Sequence, residues 1–241
     1  MSMWGPQITG RPQPLEYGTD TRDAAVIHFF NAIYAWMAVG LAVTAAVAWM
    51  VVSRRDVMAV VFSPGAMIGI FIAQIVLVLV ISSAVRALDA TAATALFLLY
   101  AALNGLFFSS IFLVYTLTSI AGTFVACAAM FGVMSVYGMV TKTDLTSMGK
   151  IMFMALIGLI VASIVNIFVA SSALYWLVSY AGVIIFAGLT AYDTQRLKAM
   201  AVSVQGDAAM AARLSVNGAL MLYLDFINMF LFLLRFMGKK R

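Results

Sequence analysis

The feature that most constrains this chain is a series of apolar runs, each about 20 residues long and separated by short polar segments. A helical run of that length crosses the ~30 Å of hydrocarbon in a bilayer. The runs cover approximately residues 29–52, 65–86, 91–115, 119–140, 149–171, 174–195 and 214–237. The pattern predicts an all-α polytopic membrane protein, a seven-helix bundle, with six spans as the alternative. Residues 1–24 would form a polar N-terminal tail, and residues 25–241 a single transmembrane domain.

Composition supports this class and excludes others. Hydrophobic residues make up 65% of the chain and charged residues 10%, too apolar a balance for a soluble domain of 241 residues. The chain has a net charge of +5. Its basic residues lie between the runs and at the C-terminus, as in loops that face anionic headgroups. The expected partner is therefore the lipid bilayer and not nucleic acid. The first 29 residues lack the apolar core of a cleaved signal, so we expect the N-terminus to be retained.

Two features of the runs predict how the helices are connected and packed. The breaks at Thr116–Ser119 and Ser171–Ala173 carry no charge, which indicates tight turns. The sixth run is rich in glycine and alanine, including Gly182 and Gly188. Small residues let helices approach closely, so the sixth helix is expected to be central.

An odd number of spans places the two termini on opposite sides of the membrane. The basic residues on the N-terminal side are then Arg11, Arg22, Arg86, Lys142, Lys150, Arg196, Lys198 and Arg213. Those on the opposite side are Arg54, Arg55, Arg235, Lys239, Lys240 and Arg241. The excess on the first side predicts a cytoplasmic N-terminus and a C-terminus across the membrane.

Acidic residues within the apolar runs are the candidates for function. Asp225 lies in the middle of the last run, where an aspartate costs ~2.5 to 3.5 kcal/mol and normally faces the bundle interior with a partner. Asp193 ends the preceding run, and Arg86 is a candidate cation near the end of the second. These three residues carry the functional argument.

Motifs of soluble-enzyme chemistry are missing from the sequence. There is no P-loop, no His-Glu-x-x-His and no Gly-x-Ser-x-Gly, and His28 is the single histidine. An aspartyl intramembrane protease would need two membrane aspartates. Tyr192-Asp193 matches one motif of such proteases, but Asp225 lacks the preceding Gly-x-Gly. We therefore expect a protein that is not an enzyme and has no cofactor.

Three segments carry a more specific resemblance. Residues 188–198 read Gly-Leu-Thr-Ala-Tyr-Asp-Thr-Gln-Arg-Leu-Lys, residues 137–146 are followed by Gly149, and residues 102–106 read Ala-Leu-Asn-Gly-Leu. Together they resemble the Bax inhibitor-1 family, or transmembrane Bax inhibitor motif family, in its bacterial YccA-like branch. The resemblance covers about residues 20–240 in the expected order.

The resemblance implies a pH-sensitive calcium leak in a bacterial inner membrane. Asp193 matches the first aspartate of the family's sensor by its motif, and Asp225 matches the second as the acid of span seven. Arg86 matches, by position, an arginine that locks the closed state. The connection from Arg196 to Arg213 is longer than the family pattern leads us to expect.

The physics of such a pair is independent of the family. Two carboxyl groups facing one dry cavity disfavour double ionisation and would share one proton. Losing the proton would leave two repelling charges, which favours separation or capture of a divalent cation. Calcium could thus be the permeant ion or a ligand of Asp193 and Asp225, and leak should rise with pH. Direct contact between the two side chains stays open at this point, because Asp225 lies deeper in its run than Asp193 does.

Other interpretations of the same residues also stay open. Asp193 could pair with Arg196 or Lys198, Asp225 could bond to Asn228 or Tyr223, and Arg86 could extend to the membrane interface. Asp144 is more typical of a turn or cap than of a ligand. The asparagines in and beside the runs are predicted to form interhelical hydrogen bonds. They are Asn31, Asn104, Asn166 and Asn217.

A second functional hypothesis comes from the same family branch. YccA-like relatives bind the membrane AAA protease FtsH and restrain its action. Residues 1–24 of this chain are polar and contain prolines, as a docking segment on the cytoplasmic side would. A small-solute transporter is a weaker alternative, since no broken helices or inverted repeats are evident.

Overall fold

The computed structural model of the chain describes residues 17–84, 89–204 and 206–241. Seven of the helices in this part are long and apolar enough to cross a membrane, and α2 is a short helix between the first two. The all-α prediction is confirmed. The helices are α1 (Tyr17–Ser53), α2 (Arg55–Val61), α3 (Pro64–Ala84), α4 (Ala90–Val114), α5 (Leu117–Val140), α6 (Thr146–Val169), α7 (Ser172–Ser203) and α8 (Ala208–Met237).

Both uncharged breaks are tight turns, as predicted. Thr116 precedes α5, and its hydroxyl accepts a hydrogen bond from the Ser119 amide at 3.3 Å. Ala170 ends α6 in the left-handed conformation with φ of 50°. Ser171 then caps α7 by accepting from the Leu174 amide at 3.3 Å. A side-chain oxygen at this position satisfies one of the free amides of a first helical turn, which explains how a helix starts here without charge.

The connection between the last two spans differs from the prediction. Residues 196–213 were expected to form a long polar connection, but α7 continues to Ser203 and α8 already begins at Ala208. Asp207 caps α8 by accepting from the Met210 amide at 2.9 Å. The segment is rich in alanine, a strong helix former, so it stays helical beyond the apolar run. Helix α1 likewise begins at Tyr17, within the residues assigned to the polar tail.

Helix α7 occupies the centre of the bundle, as predicted for the sixth span. It packs against α5, α6 and α8, and also contacts α1. Helix α8 shares this position, since it packs against α7, α1, α5 and α4. In contrast, α6 is peripheral: it packs on α7, and most of its surface is exposed to the surroundings of the bundle.

Candidate functional site

Four consecutive residues of α7 face different neighbours and thereby orient Asp193. A β-carbon at Gly138 of α5 would lie 2.2 Å from the carbonyl oxygen of Ala191, so only glycine permits this approach. A β-carbon at Gly149 of α6 would lie 2.5 Å from the Tyr192 ring, so this contact is also close. The Thr194 hydroxyl lies 3.1 Å from that of Ser135. Because a helical turn has about 3.6 residues, fixing 191, 192 and 194 leaves Asp193 the side toward α8.

Asp225 is held in a similar way by its neighbours on α8. Tyr223 is fully buried, and its hydroxyl lies 2.7 Å from that of Thr44 in α1. The Phe226 ring packs on Phe124 and Phe131 of α5, with centroids 5.3 and 5.5 Å apart. Tyr223 therefore faces α1, and Phe226 faces α5. The Asp225 side chain is therefore directed toward α7, and the residue is only 5% exposed.

The structure brings the two aspartates together. Their carboxyl groups are in hydrogen-bonding contact across the α7–α8 interface. Oδ2 of Asp225 is buried and finds no donor within the described part of the chain. A hydrogen bond between two carboxyl groups requires a proton on one of them. The contact is therefore complete in the singly protonated pair and repulsive when both groups are ionised.

Three of the four alternative partners of the aspartates bond elsewhere, and Arg196 is the exception. Tyr223 bonds to Thr44, and the Asn228 amide donates to the Leu224 carbonyl at 2.8 Å. Lys198 donates to the Met139 carbonyl at 2.8 Å. Arg196, one turn beyond Asp193, attracts its carboxylate electrostatically. Arg86 lies outside the described residues.

The aspartate pair lies in a groove between α6 and α8, with α7 as its floor. The groove has a volume of about 930 Å³. Apart from the aspartates and the Asn228 amide, its inner part is lined mainly by apolar side chains. Lys150 and Arg196 lie at one end, and Ile167 marks the other. Among the described residues, no group of three or more His, Cys, Asp or Glu side chains could hold a metal ion.

The segment before α6 is tied to the same turn of α7. The Gln195 side chain accepts from the Leu145 amide and donates to the Thr143 carbonyl, both at 2.8 Å. Asp144 accepts from the Thr146 amide at 2.9 Å, as expected for a turn residue. Hydrogen bonds from Thr146, with a smaller attraction from Lys150, hold the pKa of this exposed carboxyl below its usual range. Asp144 thus organises the start of α6 and does not reach the aspartate pair.

Hydroxyl groups join helices near the site, whereas two of the predicted asparagines bond within or next to their own helix. Asn104 donates to the Tyr100 carbonyl of its own helix, and Asn166 accepts from the Ser171 amide in the following turn. A hydroxyl chain links three helices: Tyr34 of α1 bonds to Ser135 of α5, which bonds to Thr194 of α7. Sequence reasoning missed this chain. Its signal was the position of Ser135 within the apolar run of α5.

Cys127 of α5 lies against α8. It is fully buried, and its thiol lies 3.6 Å from the Phe226 carbonyl.

The fold and the site define a class: a polytopic α-helical membrane protein with an acid pair at the contact of two central helices. The family described as "Inhibitor of apoptosis-promoting Bax1" matches residues 26–241. The chain belongs to this family, the Bax inhibitor-1 family, as the motifs around Asp193 and Asp144 indicated.

Individual relatives support the same assignment. The inner membrane protein YbhL of Escherichia coli is 52% identical over 215 residues, which cover 88% of this chain and 92% of the relative. An uncharacterized protein of Borreliella burgdorferi is 45% identical over 214 residues, 88% of this chain and 92% of its own. One of Deinococcus radiodurans is 47% identical over 207 residues, 86% and 88% of the two chains.

Proposed function

We propose that this chain is a non-enzymatic protein of a bacterial inner membrane that lets cations, foremost calcium, leak across under the control of protons. The observation that carries this proposal is the contact between the carboxyl groups of Asp193 and Asp225. The name of the YbhL relative supports an inner-membrane location. An acid pair at the contact of two central helices is costly in a membrane, which supports a role in function.

The pair can act as a switch because its contact depends on one proton. With a shared proton, a hydrogen bond joins α7 and α8 at the centre of the bundle. When that proton leaves, two negative charges face each other in low dielectric, and their repulsion favours separation of the helices. The sign follows directly: raising the pH removes the proton and increases the leak. Arg86 belongs to this proposal as the cation that latches the closed state.

Calcium enters the proposal as the cargo of the groove. Carboxylate oxygens are ligands that calcium prefers, but a resident ion takes six to eight oxygens. Two aspartates with the nearby Asn228 amide fall short of that number. A site this poor in ligands suits an ion that binds briefly and leaves, which is what conduction requires.

The test is calcium flux into proteoliposomes between about pH 6 and pH 8, the range where a coupled acid pair can exchange its proton. We expect flux in the wild type to rise with pH. Asp193→Asn and Asp225→Asn should each remove most of this dependence, because an amide cannot lose the proton. Asp56→Asn is the matched control, since it removes an exposed acid far from the groove.

Two results would contradict the proposal. The first is a wild-type pH response in both groove variants, provided that their thermal unfolding in detergent shows them to be folded. The second is wild-type flux no greater than that of empty liposomes.

Regulation of the membrane protease FtsH is the second candidate function, favoured by the polar, proline-containing sequence of residues 1–24. Deletion of residues 2–20 should abolish association with the protease and leave ion flux unchanged. The aspartate substitutions should have the reverse effect. Association that survives the deletion would remove the support for this candidate.

A further inference from the structure

The groove between α6 and α8 has features of a lipid-binding site. Its α6 wall carries large apolar side chains that are strongly exposed, including Phe153 at 59%, Met154 at 72% and Ile167 at 76%. From Lys150 to Ile167 the groove extends about 25 Å along α6, at ~1.5 Å per residue. It therefore covers most of the ~30 Å thickness of the hydrocarbon core. A hydrocarbon occupant would match both its chemistry and its direction.

Charge distinguishes one end of the groove from the rest. Lys150 of α6 and Arg196 of α7 both line it there, and both are exposed. Asp144, which attracts Lys150, lies outside the groove on the preceding turn. Asp193, which attracts Arg196, lies deeper and faces Asp225. The end of the groove thus offers two cations to an anionic headgroup, while the body offers apolar side chains to an acyl chain.

The dimensions of the groove fit an acyl chain. The groove holds about 930 Å³. An acyl chain is narrow and reaches about 15 Å, the depth of one leaflet. Starting at Lys150, such a chain would extend to about the level of Ile160 and pass over the aspartate pair.

We propose that this groove binds one anionic phospholipid, with its phosphate at Lys150 and Arg196 and an acyl chain between α6 and α8. The bound chain covers the aspartate pair from the lipid side and limits access of water to it. This inference does not depend on the leak activity, because its test measures lipid binding alone.

The experiment uses the full chain in phosphatidylcholine liposomes with a small fraction of chain-spin-labelled phosphatidylglycerol. Electron paramagnetic resonance then measures the motionally restricted lipid, compared with labelled phosphatidylcholine. We expect the wild type to restrict phosphatidylglycerol preferentially. The double variant Lys150→Gln and Arg196→Gln should reduce this preference about fivefold for each cation removed. The control pair is Lys198→Gln and Lys239→Gln, exposed cations outside the groove with the same charge change, which should retain the preference.

A second pair of variants tests the acyl-chain site. Ile160→Trp places a bulky ring in the groove and should abolish the preference for phosphatidylglycerol. Val161→Trp is matched, because Val161 is the next residue, is 55% exposed against 51% for Ile160, and does not line the groove. Both positions tolerate bulk because they are exposed, and circular dichroism checks their folding.

Three outcomes would overturn the proposal. One is equal restriction of the two lipids by the wild type, and another is equal loss of binding in both tryptophan variants. The third is efficient crosslinking between two copies through a cysteine at Ile160 in a Cys127→Ala background, which would indicate a helix of a second copy as the occupant.

Discussion

At the scale of single residues, the position of Asp193 depends on the absence of a side chain at Gly138. The α5 backbone there meets the carbonyl of Ala191, and a β-carbon would have to displace backbone and not a flexible side chain. A β-carbon at Gly132, on the same helix, would have no atom of another helix within 4 Å. Substituting alanine at each of the two glycines therefore separates the effect of helix packing on stability from the effect of helix propensity.

We predict that Gly138→Ala destabilises the protein by about 1–3 kcal/mol, because α5 and α7 must move apart. Gly132→Ala should be neutral or slightly stabilising, since alanine is the better helix former. Thermal unfolding in detergent measures both. Equal stability of the two variants would show that a β-carbon fits between α5 and α7 at residue 138 without moving the helices apart.

At the scale of helices, α7 does more than span the membrane. Its turn around residue 195 holds the connection between α5 and α6 through two hydrogen bonds of Gln195. The Leu145 side chain is buried beside it, at 4% exposure. The start of α6, one wall of the groove, is thus coupled to the same turn that carries Asp193.

We predict that Gln195→Ala increases hydrogen exchange at Leu145 and Thr146 roughly tenfold or more, because the Leu145 amide loses its acceptor. Ser203→Ala is the control, since its hydroxyl donates to the Met200 carbonyl of its own helix. Mass spectrometry of exchanged peptides covering residues 141–150 measures the effect. Unchanged exchange in this peptide would refute the coupling.

At the scale of the whole molecule, the C-terminus closes the bundle at the end opposite the α7–α8 connection. The Thr116 amide donates to the Lys239 carbonyl at 3.1 Å, and the Arg241 amide to the Val114 carbonyl at 3.0 Å. The Lys239 amide donates to the Ser119 hydroxyl at 2.9 Å. The last residues therefore join α8 to the α4–α5 turn through their backbone.

Removing residues 238–241 should lower stability by about 2–4 kcal/mol, the sum expected for three hydrogen bonds and the packing of Gly238 on Tyr115. Lys239→Ala with Lys240→Ala keeps the backbone bonds and should have little effect. Thermal unfolding distinguishes them. If the double substitution costs as much as the truncation, side-chain charge and not the backbone accounts for the contribution.

Much of the fold could be predicted because membrane spans depend on local composition. The seven runs correspond to the seven helices of the described residues that are long and apolar enough to span a membrane, and the uncharged breaks are turns with Thr116 and Ser171 as caps. The helical extension of α7 to Ser203 was missed, because hydropathy marks the edge of the hydrocarbon and not the end of a helix. The hydroxyl chain through Ser135 was also missed, since a serine can bond to its own helix or to another with the same sequence signal.

The sequence by itself determined the class of protein, the number of spans and the identity of Asp193 and Asp225 as candidates, because the cost of a charge in hydrocarbon depends on its immediate neighbours. Only the tertiary structure decided that these two acids meet. Their contact depends on the rotation of α7 and α8, which close packing at Gly138 and Gly149 and the Thr44–Tyr223 bond set together. Such packing joins residues far apart in the chain, so no local pattern records it.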